Sequence, residues 1–192
     1  MRIVFLGPPG AGKGTQAAQV AARAGIPHIS TGDMMRAAIA SGTPVGARAK
    51  EFVDVGKLVP YDVMIEVVRE RLGQDDCGPG FLLDGFPRTV AQAAALDRLL
   101  EELRSELTHV IELQVPNEVL TERLLERGRR DGRSDDTAEV IEERLRVYEE
   151  QTRPVSAFYA DKGCLIPVDG VGSIGEIGER LAGALENGAG AP

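Results

Sequence analysis

The run Ile3-Val4-Phe5-Leu6-Gly7-Pro8-Pro9-Gly10-Ala11-Gly12-Lys13-Gly14-Thr15 constrains this chain more than any other segment. Its four consecutive apolar residues have the pattern of a strand covered on both faces, and a helical period begins after the glycines. Between them, G-x-x-x-x-G-K has the spacing of a phosphate-binding loop in the strand–turn–helix setting that such a loop requires. Gly10, Gly12 and Gly14 allow successive backbone N–H groups to turn inward and form a concave anion site. The helix start adds the positive end of its dipole, and Lys13 adds a full charge for the outer phosphates of a nucleotide. The residue after Lys13 is Gly14 rather than Ser or Thr. The nearest hydroxyl, Thr15, is therefore expected at phosphate, with Mg²⁺ held largely through water.

Short apolar runs alternate with helical segments along the rest of the chain. Strands are predicted over 3–6, 27–30, 81–84, 110–115 and 165–168, and helices over 12–24, 31–41, 62–72, 89–103, 117–127, 137–159 and 174–185. This alternation predicts an α/β fold with a parallel sheet, its first, third and fifth strands apolar enough to be covered on both faces. Residues 31–59 carry more helix than one crossover needs. Residues 128–136 contain no apolar side chain and read as an exposed loop, a place where function concentrates. The Gly/Ala-rich tail 187–192 reads as frayed.

With 192 residues the chain is expected to form one domain with a core that needs no staple. Its two cysteines, Cys77 and Cys164, are too few for a disulfide framework or a Cys-rich zinc site and read as ordinary thiols. The net charge of −8 opposes nucleic-acid binding, and the lack of Trp opposes a base-stacking platform. The opening apolar run is too short for a signal or membrane-spanning segment, so the expected setting is the cytoplasm with no membrane partner.

A phosphate-binding loop alone leaves ATPase, GTPase, kinase and regulatory binder open. No Asn/Thr-Lys-x-Asp segment follows to read guanine, which disfavours a GTPase. Two further segments, Ser30-Thr31-Gly32-Asp33-Met34-Met35-Arg36 and Phe81-Leu82-Leu83-Asp84-Gly85-Phe86-Pro87-Arg88-Thr89, fall at the carboxyl ends of predicted strands, where open α/β sheets bind ligands. Arg36 and Arg88 can each fork onto a phosphate, and Asp84 is placed to hold a Mg²⁺ shell. Arg123 and Arg127 share a helix face, Arg133 and Arg144 follow, and all four are expected to meet an anionic ligand. Arg129 and Arg130 read as solvated surface.

These segments, with Gly56-Lys57-Leu58-Val59-Pro60, Gln92 and Arg133-Ser134-Asp135-Asp136, resemble the adenylate kinases in order and over nearly the whole chain. Gly-Lys-Gly-Thr at 12–15 is common in that family. The resemblance implies a P-loop nucleoside monophosphate kinase fold with a five-stranded parallel sheet, a monophosphate-binding lobe at 30–59, and a short lid at 126–136. The lid lacks the metal-ligand positions of some long lids, so no structural zinc is expected. It implies ATP phosphates on Gly10, Ala11, Gly12, Lys13, Gly14 and Thr15, with Arg123, Arg127 and the backbone at Gly172 on the ATP side. For AMP it implies Thr31, Arg36, Lys57, Leu58, Val59, Gly85, Phe86, Pro87, Arg88, Gln92, Arg133 and Arg144. The division of roles between Arg127 and Arg133 stays open.

Reversible transfer from MgATP to AMP, giving two ADP, is the implied reaction, by a monomer, with Lys13, Arg88, Arg127, Arg133 and Arg144 as the catalytic cations. The uridylate–cytidylate kinases are similar in the phosphate loop and in Asp-Gly-Phe-Pro-Arg. They typically have Ala where this chain has Thr31 and Asn where it has Gln92, so the resemblance favours adenylate.

Overall fold

The structure is a computed structural model that describes residues 1–188; residues 189–192, most of the tail read as frayed, lie outside the described residues. Among the described residues, five strands form one sheet: β1 (Arg2–Leu6), β2 (His28–Ser30), β3 (Phe81–Asp84), β4 (His109–Gln114) and β5 (Leu165–Asp169). They lie in the order β2-β3-β1-β4-β5, and every pairing is parallel. The connecting helices are α1 (Lys13–Ala24), α2 (Thr31–Ala40), α3 (Pro44–Val53), α4 (Tyr61–Leu72), α5 (Val90–Glu102), α6 (Asn117–Asp131), α7 (Ala138–Val147), α8 (Arg153–Asp161) and α9 (Ile174–Gly188).

The period-two alternation of the strands sorts side chains into two cores. Ile3 and Phe5 of β1, Leu82 of β3 and Ile111 and Leu113 of β4 pack with Ala17 and Ala21 of α1 and Ile177 and Leu181 of α9. Val4, Leu6, Leu83 and Val110 face the other way, onto Val68 of α4, Leu96 and Leu99 of α5 and Val155 and Tyr159 of α8. After β2 and β3 the chain crosses β1 to reach β4. The reversal opens a crevice at the carboxyl end of β1, where the phosphate-binding loop lies. No helix of the described residues is long and apolar enough to cross a membrane.

Three local expectations change. β5 is an edge strand with Pro167 and Asp169 exposed, not a strand covered on both faces. Proline has no N–H to give to a further strand, so it suits that edge. The helix predicted over 137–159 is broken: α7 ends at Val147, a π turn spans Tyr148–Thr152, and α8 restarts beside Pro154. A proline cannot donate within a continuing helix, and the widened turn absorbs the missing bond.

The segment 128–136 is not an exposed loop. α6 runs on to Asp131, ends at Gly132 in the left-handed region, and leads into a 3₁₀ turn at Ser134–Asp136 in which both aspartates are buried. Gly128 permits this, because a Cβ there would lie 2.8 Å from the Asp136 carbonyl oxygen.

α2 and α3 form a tight pair capped by Ser30 and Thr43, whose hydroxyls accept the N–H groups of Asp33 and Gly46. At Gly46 the backbones nearly touch: a Cβ would stand 2.1 Å from the carbonyl oxygen of Ala38, an atom that cannot swing away. Gly46→Ala is expected to part the two helices at a cost of about 2 kcal/mol or more, lowering Tm by about 5 °C in thermal denaturation.

Candidate functional site

β1 ends in the loop Gly7–Gly12, which folds as the spacing requires. Gly10 and Gly12 adopt φ of 84° and 90°, a region that side-chain-bearing residues rarely enter, and Gly12 is the N-cap of α1. The Lys13 ammonium donates to the carbonyl oxygens of Gly7 at 2.7 Å and Pro8 at 2.9 Å, which holds it across the mouth of the loop. Burial drives its pKa down to about 8, and Arg88, Arg144 and Arg127 push the same way against the opposing pull of Asp84. Asp84 ends β3 next door, buried, with its carboxylate 3.6 Å from where a Cβ would sit on Gly14 and 3.6 Å from the His28 imidazole.

A second cationic group comes from α6, the turn at Ser134–Asp136, and α7. Arg127 makes a two-pronged bond to Asp136, Nε at 2.7 Å and Nη2 at 2.9 Å. Arg133 makes another to Asp135 at 3.0 and 2.8 Å. Arg144 reaches from α7 and uses Nη1 on both acids, at 3.0 Å to Asp135 and 2.5 Å to Asp136. Burial would raise the Asp135 pKa, but the bond to Arg133 and the charge of Arg144 overcome it and hold the carboxyl down at about 2. Burial lowers Arg144 to about 10, partly offset by the same aspartates. For Arg133 the bonds to Asp135 outweigh burial, and its pKa rises.

A third group lies at the ends of β2 and β3. The Thr31 hydroxyl donates to the backbone oxygen of Asp84 at 3.2 Å. Arg36 pairs with Asp33 one turn earlier on α2 at 2.5 Å. Arg88 Nε donates to the Gly85 carbonyl at 2.7 Å, and its backbone N–H donates to Gln92 Oε1, also at 2.7 Å. Burial pulls the Arg88 pKa down, the expected cost of sinking a cation beside the loop.

All three groups face one cavity of about 610 Å³. It brings together Gly10 to Thr15, Thr31, Arg36, Lys57, Leu58, Val59, Asp84, Gly85, Pro87, Arg88, Gln92, Arg123, Arg127, Arg133, Arg144 and Gly172. Phe86 is placed elsewhere: it is buried in the apolar core with Ile29, Leu83 and Ala93. Arg130, expected on the solvated surface, pairs with Asp131 yet also reaches the cavity rim. Arg123 donates to the Gly170 carbonyl at 3.3 Å, beside Gly172.

Sequence reasoning missed part of the wall: Gln16, Met35, Val53, Met64, Val147, Tyr148, Thr152, Ile174 and Ile177. Most are apolar or belong to the π turn, and only the three-dimensional packing of α2, α4, α7 and α9 brings them together. Among the described residues, no group of three or more His, Cys, Asp or Glu is arranged to hold a metal ion.

A family model described as adenylate kinase matches residues 5–164. An adenylate kinase of Stenotrophomonas maltophilia is 50% identical over 186 residues, 97% of this chain and 100% of its own. That of Xanthomonas euvesicatoria is 50% identical over 185 residues, and that of Xylella fastidiosa 48% over 185, each spanning 96% of this chain and 99% of the relative. With the phosphate-binding loop, the arginine cluster and the group at the ends of β2 and β3 in one cavity, the chain belongs to the adenylate kinase family.

Proposed function

We propose that this cavity carries out MgATP + AMP ⇌ 2 ADP, with ATP phosphates on the loop Gly10–Thr15 and AMP on the groups from Thr31 to Val59 and from Gly85 to Gln92. The observation that carries this reading is the continuity of the cavity: Lys13, Arg88, Arg127, Arg133 and Arg144 line one space between two anion sites. The chain is a phosphotransferase, and its substrates are nucleotides. On this reading it acts as a cytoplasmic monomer, with no nucleic-acid partner and no structural zinc.

The nucleophile is an oxygen of the AMP phosphate. Its second pKa is near 6, so it is already ionised at neutral pH, and neither Asp33 nor Asp84 is needed as a base. As the new P–O bond forms at the γ-phosphorus, the bond to the β-phosphate oxygen breaks, and that oxygen keeps the electron pair. The protein's task is to hold two polyanions in line and to stabilise charge on the transferring group. Lys13 and the loop N–H groups hold the β- and γ-phosphates. Arg88 and Arg36 hold the AMP phosphate, and Arg127, Arg133 and Arg144 bridge between. Asp84, a buried acid beside Gly14, would hold the water shell of the Mg²⁺ that enters with ATP, which would supply neutralising charge at the phosphates.

Met35, Val59 and Met64 offer apolar walls to the AMP base, and Thr31 and Gln92 stand by its polar edge. The lobe 30–59 and the lid 126–136 exclude water by closing over the bound nucleotides. Supporting this, Gly56 of the lobe approaches α7 so closely that a Cβ would lie 2.9 Å from Arg144 Cγ and 3.0 Å from the Val140 oxygen.

ADP formation from MgATP, measured with AMP, UMP, CMP and GMP in turn and with ATP alone, tests the reading. Strong turnover with AMP alone among the four is expected. Slow ATP consumption indifferent to every monophosphate would overturn it. Arg133→Ala is expected to cut kcat by about a hundredfold while the Kd for ATP moves far less, as calorimetry would show. Asp136→Asn should lower kcat together with Tm, because a neutral amide no longer compensates Arg127 and Arg144.

The Lys13 shift sets a pH dependence. The free protein carries a charged Lys13 below about pH 8 and loses the charge above it. Bound phosphates favour the charged form, so kcat/KM for ATP should fall as pH rises past about 8. At saturating ATP, kcat should hold to higher pH.

A further inference from the structure

We propose that the Thr152 hydroxyl binds an outer-phosphate oxygen of the donor nucleotide, beside Lys13, at the group that is transferred. The inference rests on the reading above only in placing the donor phosphates on the loop Gly10–Thr15. Thr152 is 8% exposed and lines the cavity. It is also the N-cap of α8, where a threonine ordinarily serves its own helix. Ser30, Thr43, Thr89 and Thr137 do so: each hydroxyl accepts the N–H of the residue three further on. Thr152 does not. The π turn before it is already helical, so its backbone has φ of −98° and ψ of −37°, and its hydroxyl caps nothing. The carbonyl oxygen of Tyr148, its other local partner one turn back, accepts the N–H of Arg153 instead. Among the described residues the hydroxyl is left with no hydrogen-bond partner, at a wall of the cavity. A buried hydroxyl in that condition costs stability unless a ligand supplies its acceptor.

Sheet register gives the place of that acceptor. α8 leads into the amino end of β5, so it runs antiparallel to the strands. Ser156 of α8 donates to Glu112 of β4 at 2.5 Å, and Glu112 is level with Leu6 of β1. Thr152, four residues before Ser156, stands about 6 Å nearer the carboxyl edge. Two residues past Leu6 span about the same distance, which puts Thr152 at the height of Gly7 and Pro8. In keeping with this, Pro8 shares an outer groove with Tyr148 and Arg153, on either side of Thr152 in the chain. Gly7 and Pro8 are the residues whose carbonyls hold the Lys13 ammonium. Those two bonds leave one of its three N–H groups for a ligand. A phosphate oxygen bound there lies level with Thr152, whose hydroxyl can donate to it where a valine of similar shape cannot.

The test compares Thr152→Val and Thr152→Ser with the wild type, using the full chain with MgATP and AMP. Thr152→Val removes the hydroxyl with little change of shape, and should lower kcat/KM for ATP by about tenfold. Calorimetry with each nucleotide alone should show a weaker Kd for ATP and an unchanged Kd for AMP. Thr152→Ser keeps the hydroxyl and should recover most of the loss. The Tm of Thr152→Val should equal or exceed that of the wild type, because no bond within the protein is broken, whereas loss of a structural hydroxyl would lower it.

A valine variant with wild-type kcat/KM would overturn the proposal, as would a serine variant impaired as much as the valine one. So would a loss confined to the AMP Kd, or a fall in Tm that accompanies the fall in activity. A wild type without AMP-dependent ADP formation would count against the function above, while the ATP Kd values of the variants still decide the role of Thr152.

Discussion

The arginine side of the cavity depends on two buried carboxylates. Arg127, Arg133 and Arg144 come from α6, the turn after it and α7, and alone they would repel one another out of a common volume. Asp135 and Asp136 sit between them and accept from all three. The dependence is mutual: two adjacent buried aspartates would be costly without those guanidiniums, and breaking such a pair is far more damaging than never having built it. Three cations on two anions leave a residual positive charge facing the cavity, so the cluster is held rigid without being neutralised. Gly128 completes the arrangement by letting the Asp136 backbone rest against α6.

The rest of the site is built differently. Lys13, Asp84 and Arg88 stand at or beside the carboxyl ends of β1 and β3, strands buried among large apolar side chains. Their positions follow from sheet register and from a loop whose glycines fix its path. The cavity therefore joins a part anchored to the sheet with a part carried on the connection from α6 to α7. Nine cationic side chains line it against the carboxylates of Asp33, Asp84, Glu126 and Asp135, in a chain whose net charge is −8. The acidic balance of the sequence describes the outer surface and says nothing of this interior.

What the sequence made legible was whatever is encoded locally. The phosphate-binding loop and the apolar runs of the inner strands depend on neighbours within a few residues, and their spacing exposes them. The burial of Asp135 and Asp136 is not local. Residues 128–136 contain only polar and charged side chains and glycine, and read as surface until arginines from two helices are seen to compensate the acids. The break after Val147 follows from Pro154, yet helical period alone runs across it. Phe86, flanked by Gly85 and Pro87, carries the same motif signal as they do but turns into the core, because a benzyl side chain at the end of β3 gains more among Ile29 and Leu83 than at a polar wall.

The division between lysine and arginine in the cavity has a physical reason. Two unit charges 4 Å apart repel by about 4 kcal/mol at an effective dielectric of 20, and a donor and an acceptor nucleotide bring several such pairs together. A lysine offers one compact charge, enough for Lys13, which is tied to the carbonyls at Gly7 and Pro8 at the loop. Between two phosphates, on the proposed reading, a group must face both at once and hold its protonation while partly buried. A planar guanidinium does this through separate N–H pairs, and even Arg144, lowered to about 10, stays charged at neutral pH where a lysine under the same burial would be near titration. The arginines lie where the repulsion is concentrated, and the aspartates behind them let so many occupy one place.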